Sequence, residues 1–461
     1  MGRDLLKNSI FFLIMMIIIL LVIRFLTFRT FLYLSIIIAL IFLNVILVRD
    51  IQQQLKKKIM VKSVSYFNLL EANLMNDHGK LLEWISQYEK SSIVEDNSLF
   101  PNNMVEIIDT SEETLEKILS LLDQAEHHVH LEYFIIKDGK IAENVKQLLL
   151  KKLGEGVKVR IIYDGFGSFL LKNSFINELR EAGAEVKAFS APIQSILKLS
   201  ANHRNHRKIL VVDGHTGIIG GSNIGDEYFG RRTQLGKWKD TDIVMKGEAV
   251  HCLQAIFLKD WYLISGQTIL DPSYYPIMVS GYIPMTIVTG ENDSPVHNIE
   301  KLYLSLIDSA QTKLYLQTPY LVPTEPIIKN IENAVVRGVD VKIIIPTKSD
   351  NIIAQYATKI AARNLSLLGV EIYEYDNGFL HSKIAVRDDN LAIVSTANLD
   401  YRGFRLDYEV VAIVHDQKVN DDLKMIFLSD LNHSNPINIK MKLSFIDKIG
   451  EGLIKMIEGI L

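Results

Sequence analysis

The sequence predicts two similar α/β lobes behind an N-terminal two-helix transmembrane hairpin. Three observations predict it. A strand–helix–strand–helix–strand order occurs twice, each copy ends in a His-x-Lys hairpin, and residues 1–50 are almost wholly apolar. Apolar strands alternating with amphipathic helices are the pattern of an α/β domain, with mixed sheets flanked by helices. A chain of 461 residues exceeds what one core organises, so two domains are expected.

At the N-terminus, Ser9–Ile23 and Thr30–Val48 are apolar runs separated by Arg24–Arg29. A helix needs about 20 apolar residues to cross the hydrocarbon. The second run meets that length, and the first does so if Arg24 snorkels to the interface. No small-x-small cleavage site follows the first run, against a signal peptide. Arg3, Lys7, Arg49, Lys56, Lys57, Lys58 and Lys62 flank the hairpin, whereas only Arg24 and Arg29 lie in its turn. The positive-inside rule then puts the rest of the chain on the cytoplasmic side of the cell membrane. The expected segments are a hairpin at 1–50, a membrane-proximal connector at 51–103, lobes at 104–266 and 280–430, and a tail at 431–461. The apolar positions of the tail suit packing against the domain or an interfacial helix.

Within the first lobe, "HVHLEYFII" (His128–Ile136) reads as a strand. The helical pattern "IAENVKQLLLKKLGE", the strand "GVKVRIIYD" (Gly156–Asp164), a second helix and the strand "AEVKAF" follow. The second lobe repeats the order with "KLYLQTPYLV" (Lys313–Val322), "PIIKNIENAVVR", "GVDVKIIIP" (Gly338–Pro346) and "VEIYEY". Between the lobes, Ile264–Pro284 carries Gly, Pro and Tyr punctuation and reads as the boundary. "HRKILVVDGHTGIIGGSNIGD" then finds its echo in "HSKIAVRDDNLAIVSTANLD".

Each copy supplies His-x-Lys-x4-Asp: His206, Lys208 and Asp213, then His381, Lys383 and Asp388. Strand alternation puts each His and Lys on one face. Ser222 with Asn223 follows the first motif and Thr396 with Asn398 the second. The asparagines share one offset from their histidines, while the hydroxyls are shifted by one residue. A carboxylate opens the next strand: Glu409 in the second copy, Asp240 or Asp242 in the first.

These residue types suit attack on a phosphodiester. One imidazole can attack phosphorus while another protonates the leaving oxygen. The lysines and the Asn223 and Asn398 amides can hold the phosphate oxygens, with Ser222 and Thr396 beside them. A carboxylate behind each histidine fixes its tautomer. With lysines supplying the positive charge, no metal and no cofactor is expected. His203 and His206 lack the further ligands of a zinc site. A net charge of −4 and the absence of interleaved aromatics argue against nucleic acid as partner. A single His-x-Lys means little; its duplication with matching Asn and carboxylate positions is what points to catalysis.

The paired H-x-K-x4-D motifs, Gly220–Asn223 and Ser395–Asn398, resemble the phospholipase D superfamily. "HLEYFI", "VRIIYDGFGS", "NHRNHRK", "GGSNIGDEY", "QTPYLVP", "GFLHSK" and "TANLDYRGF" look like the bacterial cardiolipin synthases within it. The likeness runs from about Val129 to His415. It implies two phospholipase D-type lobes related by a pseudo-twofold axis, with one site between them. It also implies transfer of a phosphatidyl group from one phosphatidylglycerol to another through a phosphohistidine, giving cardiolipin and glycerol. By the resemblance His206 is the nucleophile and His381 the general acid and base; the near-symmetric motifs alone leave that order open. Lys208, Lys383, Asn223 and Asn398 would bind phosphate, and Asp240 and Glu409 would orient the histidines. The partners implied are phosphatidylglycerol and other membrane phospholipids. A hydrolase, or a transphosphatidylase with another acceptor, is the alternative. Ser395, Gly403 and Asp407 depart from the family's usual Gly, Ser and Asn.

Overall fold

The computed structural model describes residues 53–74, 78–90, 99–189, 204–229, 235–291 and 297–437. The chain divides into two compact units, Met1–Lys58 and Ile59–Leu461. The expected transmembrane hairpin lies outside the described residues, as does the tail beyond residue 437. Among the described residues no helix is long and apolar enough to cross a membrane.

In the first repeat the strands are β1 (Phe100–Ile108), β2 (His128–Tyr133), β3 (Lys158–Asp164), β4 (Glu185–Phe189), β5 (Lys208–Val212), β6 (Thr216–Gly220), β7 (Trp238–Lys239) and β8 (Asp242–Gly247). Those of the second repeat begin with β9 (Ile283–Gly290), β10 (Lys313–Gln317), β11 (Leu321–Val322), β12 (Asp340–Pro346), β13 (Glu371–Tyr375) and β14 (Phe379–Leu380). They continue with β15 (Ile384–Arg387), β16 (Leu391–Ser395), β17 (Leu399–Asp400), β18 (Glu409–Val414) and β19 (Ser434–Pro436). Helices Lys140–Gly154 and Asn173–Glu181 join β2, β3 and β4, and helices Glu325–Val336 and Ile352–Leu367 do the same for β10, β12 and β13.

Among the described residues fifteen strands form one mixed sheet, β19-β13-β12-β10-β15-β16-β18-β9-β1-β8-β6-β5-β2-β3-β4. The sequence suggests separate sheets; they are continuous because β1 pairs antiparallel with β9. Reading outward from that pair, β8, β6, β5, β2, β3, β4 match β18, β16, β15, β10, β12, β13. The pseudo-twofold axis therefore passes between β1 and β9. The β2 strand stops at Tyr133, short of the Ile136 expected, and the chain turns through Asp138-Gly139 into the next helix. The expected strand 313–322 breaks after Gln317, where Pro319 has no N–H to pair. Its end, β11, pairs instead with β17.

Burial of both sheet faces explains the near-continuous apolar runs: every residue of β5 and of β6 is buried. One face of each repeat packs under its own helices. The other face is a single core common to both repeats, joining Ile209, Ile219 and Met245 to Ile287, Val394 and Val410. Helix Val250–Ser265, buried from Val250 through Trp261, runs through this core. It ends at Gly266, whose φ of 73° needs a residue without Cβ. Tyr66, Phe67, Leu70, Leu81, Trp84 and Ile85 of the connector belong to the same core. Trp84 Nε1 donates to the Ile287 carbonyl (2.8 Å) and the Tyr66 hydroxyl to the Ile269 carbonyl (3.2 Å).

Candidate active site

Both histidines stand just before a core strand, and each is pinned to the opposite repeat. The His206 N–H donates to the Tyr408 carbonyl (3.0 Å), and the Tyr408 N–H to the Arg204 carbonyl (2.9 Å). Likewise the His381 N–H donates to the Lys239 carbonyl (2.7 Å), where β14 pairs with β7. These exchanges bring a carboxylate of the other repeat behind each ring. His206 Nδ1 lies 2.8 Å from Glu409 Oε1. His381 Nδ1 lies 2.7 Å from Asp240 Oδ2. Of the two first-repeat candidates it is thus Asp240, not Asp242, that meets a histidine.

Lys208 and Lys383 are fully buried, and each Nζ donates to the carbonyl of its own motif histidine, at 2.6 and 2.5 Å. Lys383 Nζ also lies 3.0 Å from His381 Nδ1. Aromatic edges wall the rings: Phe134 stands 4.8 Å from His206 and Trp238 4.9 Å from His381. Asn223 Oδ1 accepts from the Ile135 N–H (3.1 Å), and the Asn223 side chain also hydrogen-bonds Tyr228. Asn398 Oδ1 is buried without a hydrogen-bond partner among the described residues.

Burial dominates the electrostatics. It holds both imidazoles well below the usual histidine range, with Lys208 adding to the effect on His206 and Lys383 to that on His381. It lowers Lys208 to about 7 and Lys383 to about 8, and raises Asp240 to about 6 and Glu409 to about 7. The protons of the two lysines and two carboxylates are therefore finely balanced near neutrality, and an arriving phosphate anion favours the protonated forms of the lysines and imidazoles alike.

Four expected site residues are placed otherwise. Asp213 and Asp388 sit at the far ends of β5 and β15, in hairpin turns with φ of 52° and 49°. Asp213 accepts the N–H groups of Glu126, His127 and His128 (2.8–2.9 Å). Asp388 accepts those of Gln311, Thr312 and Lys313 (2.8–3.2 Å). Both carboxylates thereby tie a hairpin turn to the start of a neighbouring strand, and neither touches a motif histidine. The Ser222 hydroxyl donates to Asp242 Oδ2 (2.6 Å), and that of Thr396 to Glu409 Oε2. The one-residue shift between the hydroxyls follows: Thr396 aligns with Gly221, and each hydroxyl serves a different carboxylate. A Cβ on Gly221 would lie 2.0 Å from Asp240 Oδ1, so that position backs the His381 partner with no side chain of its own.

Sequence reasoning missed the ion cluster behind the site. Arg207 lies between the two motif residues but points the other way. It pairs with Asp260 and with Glu291 (2.9 Å), and donates to the Glu409 carbonyl (3.3 Å). Lys259 joins Asp260 (2.9 Å) and Glu291. Period-two alternation was the available signal: Arg204, His206 and Lys208 face one way, Asn205 and Arg207 the other.

A family model described as "Cardiolipin synthase, PLD-like domain" matches residues 118–261 and 303–431. The cardiolipin synthase of Geobacillus kaustophilus (strain HTA426) is 39% identical over 360 residues, 77% of this chain and 72% of that protein. The cardiolipin synthase of Geobacillus thermodenitrificans (strain NG80-2) is 41% identical over 335 residues, 72% of this chain and 67% of that one. Among solved structures, the phosphatidylserine synthase of Haemophilus influenzae Rd KW20 superposes with a TM-score of 0.60 at 14% identity. It covers 77% of this chain and 93% of its own, which shows the shared fold. With both repeats matched by the family model and such relatives over most of its length, the chain belongs to the cardiolipin synthase family of phospholipase D-like proteins.

Proposed function

We propose that the protein is a cardiolipin synthase that moves a phosphatidyl group from one phosphatidylglycerol to another through a phosphohistidine. His206 Nε2 attacks phosphorus, and the glycerol oxygen leaves with a proton from His381. His381 then takes the proton of the acceptor's primary hydroxyl, whose oxygen displaces His206 and restores the free imidazole. The products are cardiolipin and glycerol. Lys208, Lys383, Asn223 and Asn398 hold the non-bridging oxygens through both steps. Glu409 supports positive charge on His206 as the P–N bond forms, and Asp240 does so for His381. Asp213 and Asp388 have a structural role only, and Ser222 and Thr396 act through the carboxylates they bind.

The observation that carries this reading is the pair of cross-repeat His–carboxylate contacts, each with a buried lysine, in a chain of this family. We further propose that residues 1–50 anchor the protein in the cell membrane with the lobes on the cytoplasmic side. Phe169, 71% exposed, and Ile352, 82% exposed, support a lipid-facing mouth. They follow β3 and β12, equivalent strands whose C-terminal ends point to the site.

The test supplies phosphatidylglycerol vesicles to the purified full chain and follows glycerol, cardiolipin and phosphatidic acid. Cardiolipin and glycerol in equal amounts are expected. Phosphatidic acid without cardiolipin would establish the hydrolase instead.

A further inference from the structure

We propose that Arg204 binds the phosphate of the second phospholipid, forming an anion subsite at the mouth of the cleft. The proposal rests on the phosphatidyl-transfer reading above and names how that reaction selects a lipid acceptor.

The segment Arg204–His206 runs beside Asp407–Glu409, joined by the Asn205–Tyr408 bridge. Arg204 and His206 share one face of it, as do Asp407 and Glu409. Two residues of extended chain separate the Arg204 and His206 backbones by roughly 6.6 Å. Substrate phosphorus sits beside the imidazole in any transfer through His206, so Arg204 stands one glycerol away. In cardiolipin a single glycerol separates the two phosphates. The acceptor oxygen arrives opposite the attacking imidazole, and its glycerol is free to swing its own phosphate to the mouth.

Arg204 is set up to receive an anion. Its guanidinium stacks on Phe166, 3.7 Å from the ring centroid. Its Nη1 is buried and has no hydrogen-bond partner among the described residues. A buried donor without a partner is costly, so a ligand that pairs with it gains correspondingly. The neighbouring Asp164 is committed to backbone: Oδ1 accepts from Phe166 (3.0 Å) and Gly167 (2.9 Å), and Oδ2 from Asn205 (3.0 Å). Arg402 adds positive charge close by and is held by Asp407 through contacts of 2.6 and 3.3 Å. A planar guanidinium fork matches a phosphodiester's two free oxygens better than any other side chain.

The pseudo-twofold axis sharpens the point. The residue related to Arg204, two before His381, is Phe379, fully buried and packed 4.7 Å from the Trp238 ring. The catalytic groups are duplicated but this cation is not. A duplicated site handles one phosphorus symmetrically; a single extra cation marks one end for a second anion.

Competition between acceptors tests this. The full chain is given phosphatidylglycerol vesicles with 1-butanol, and cardiolipin, phosphatidylbutanol and phosphatidic acid are quantified. Butanol carries no phosphate, so the cardiolipin-to-phosphatidylbutanol ratio reads the subsite. Arg204→Gln is expected to lower that ratio roughly ten- to a hundredfold, the worth of a charge-assisted hydrogen bond. Arg204→Lys is expected to lower it less, because it keeps the charge and loses the fork. An unchanged ratio in Arg204→Gln overturns the proposal. If Arg204→Gln forms no product, Arg204→Lys decides, and an unchanged ratio there overturns it equally. Wild-type protein that yields phosphatidylbutanol but no cardiolipin refutes the transfer reading itself, a result distinct from an unchanged ratio.

Discussion

Replacing Glu409 with Gln tests the cross-repeat arrangement most directly. The carboxylate lies 2.8 Å from His206 Nδ1 and is completely buried. In the proposed transfer the His206 ring becomes cationic as it attacks phosphorus, and Glu409 is the anion in contact with it. At about 4 Å between charge centres and an effective dielectric of about 20, the attraction is about 4 kcal/mol. Gln keeps an oxygen at Nδ1 but loses that term, so kcat/KM should fall about 10³-fold. Burial raises the Glu409 carboxyl to about 7. Near pH 8 the wild-type group is mostly ionised, and near pH 6 mostly protonated. The ratio of wild-type to variant kcat/KM should therefore shrink about tenfold between those conditions. Removing a buried charge that burial disfavours should leave Tm near pH 8 unchanged or higher. Initial rates of cardiolipin formation across pH, with thermal unfolding in parallel, measure both. A loss below about tenfold, or a ratio indifferent to pH, would refute the role given to Glu409.

Three other outcomes are expected. Gly221→Ala puts a Cβ where Asp240 Oδ1 stands, so Asp240 must leave His381; turnover should drop about 10²-fold with a small stability change, measured by kcat and Tm together. Asp213→Asn keeps a residue tolerant of positive φ but removes the anion that accepts three N–H groups; unfolding free energy should fall by about 1–3 kcal/mol while kcat per folded molecule holds. A selective loss of kcat there would restore Asp213 to the chemistry. The pH profile of kcat/KM should be bell-shaped. Its acid limb follows Asp240 and Glu409, which must be ionised and sit at about 6 and 7. Its basic limb follows Lys208 and Lys383, which must be charged and sit at about 7 and 8. A flat profile across that range would show that these four groups do not govern turnover.

The repeat was legible because it is written in local patterns. Period-two and helical spacings located β2 through β6 and their second-repeat counterparts, and alternation put His206 and Lys208 on one face. The boundaries shifted where a turn intervened, after Tyr133 and at Pro319. The connector resisted reading because its buried residues are dispersed; only packing against β9 and helix Val250–Ser265 shows why Tyr66 and Trp84 are aromatic. The x4-Asp of each motif misled in the opposite way. Its fixed spacing from the histidine reflects strand length, and the strand carries it to the far end of the hairpin.

The sequence by itself determined the duplicated lobes, the His-x-Lys pairs, the asparagines that follow them and the class of chemistry. Each of these depends on residues within one strand and its turn. Tertiary structure alone decided that Glu409 serves His206 across 203 residues and that Asp240, rather than Asp242, serves His381 across 141. It also decided that Thr396 and Ser222 support carboxylates, and that Arg204 stacks on Phe166 while Arg207 is buried in an ion cluster. The reason is physical. A buried charge is stable only where packing delivers its partner, and the antiparallel meeting of β1 with β9 sets those meetings.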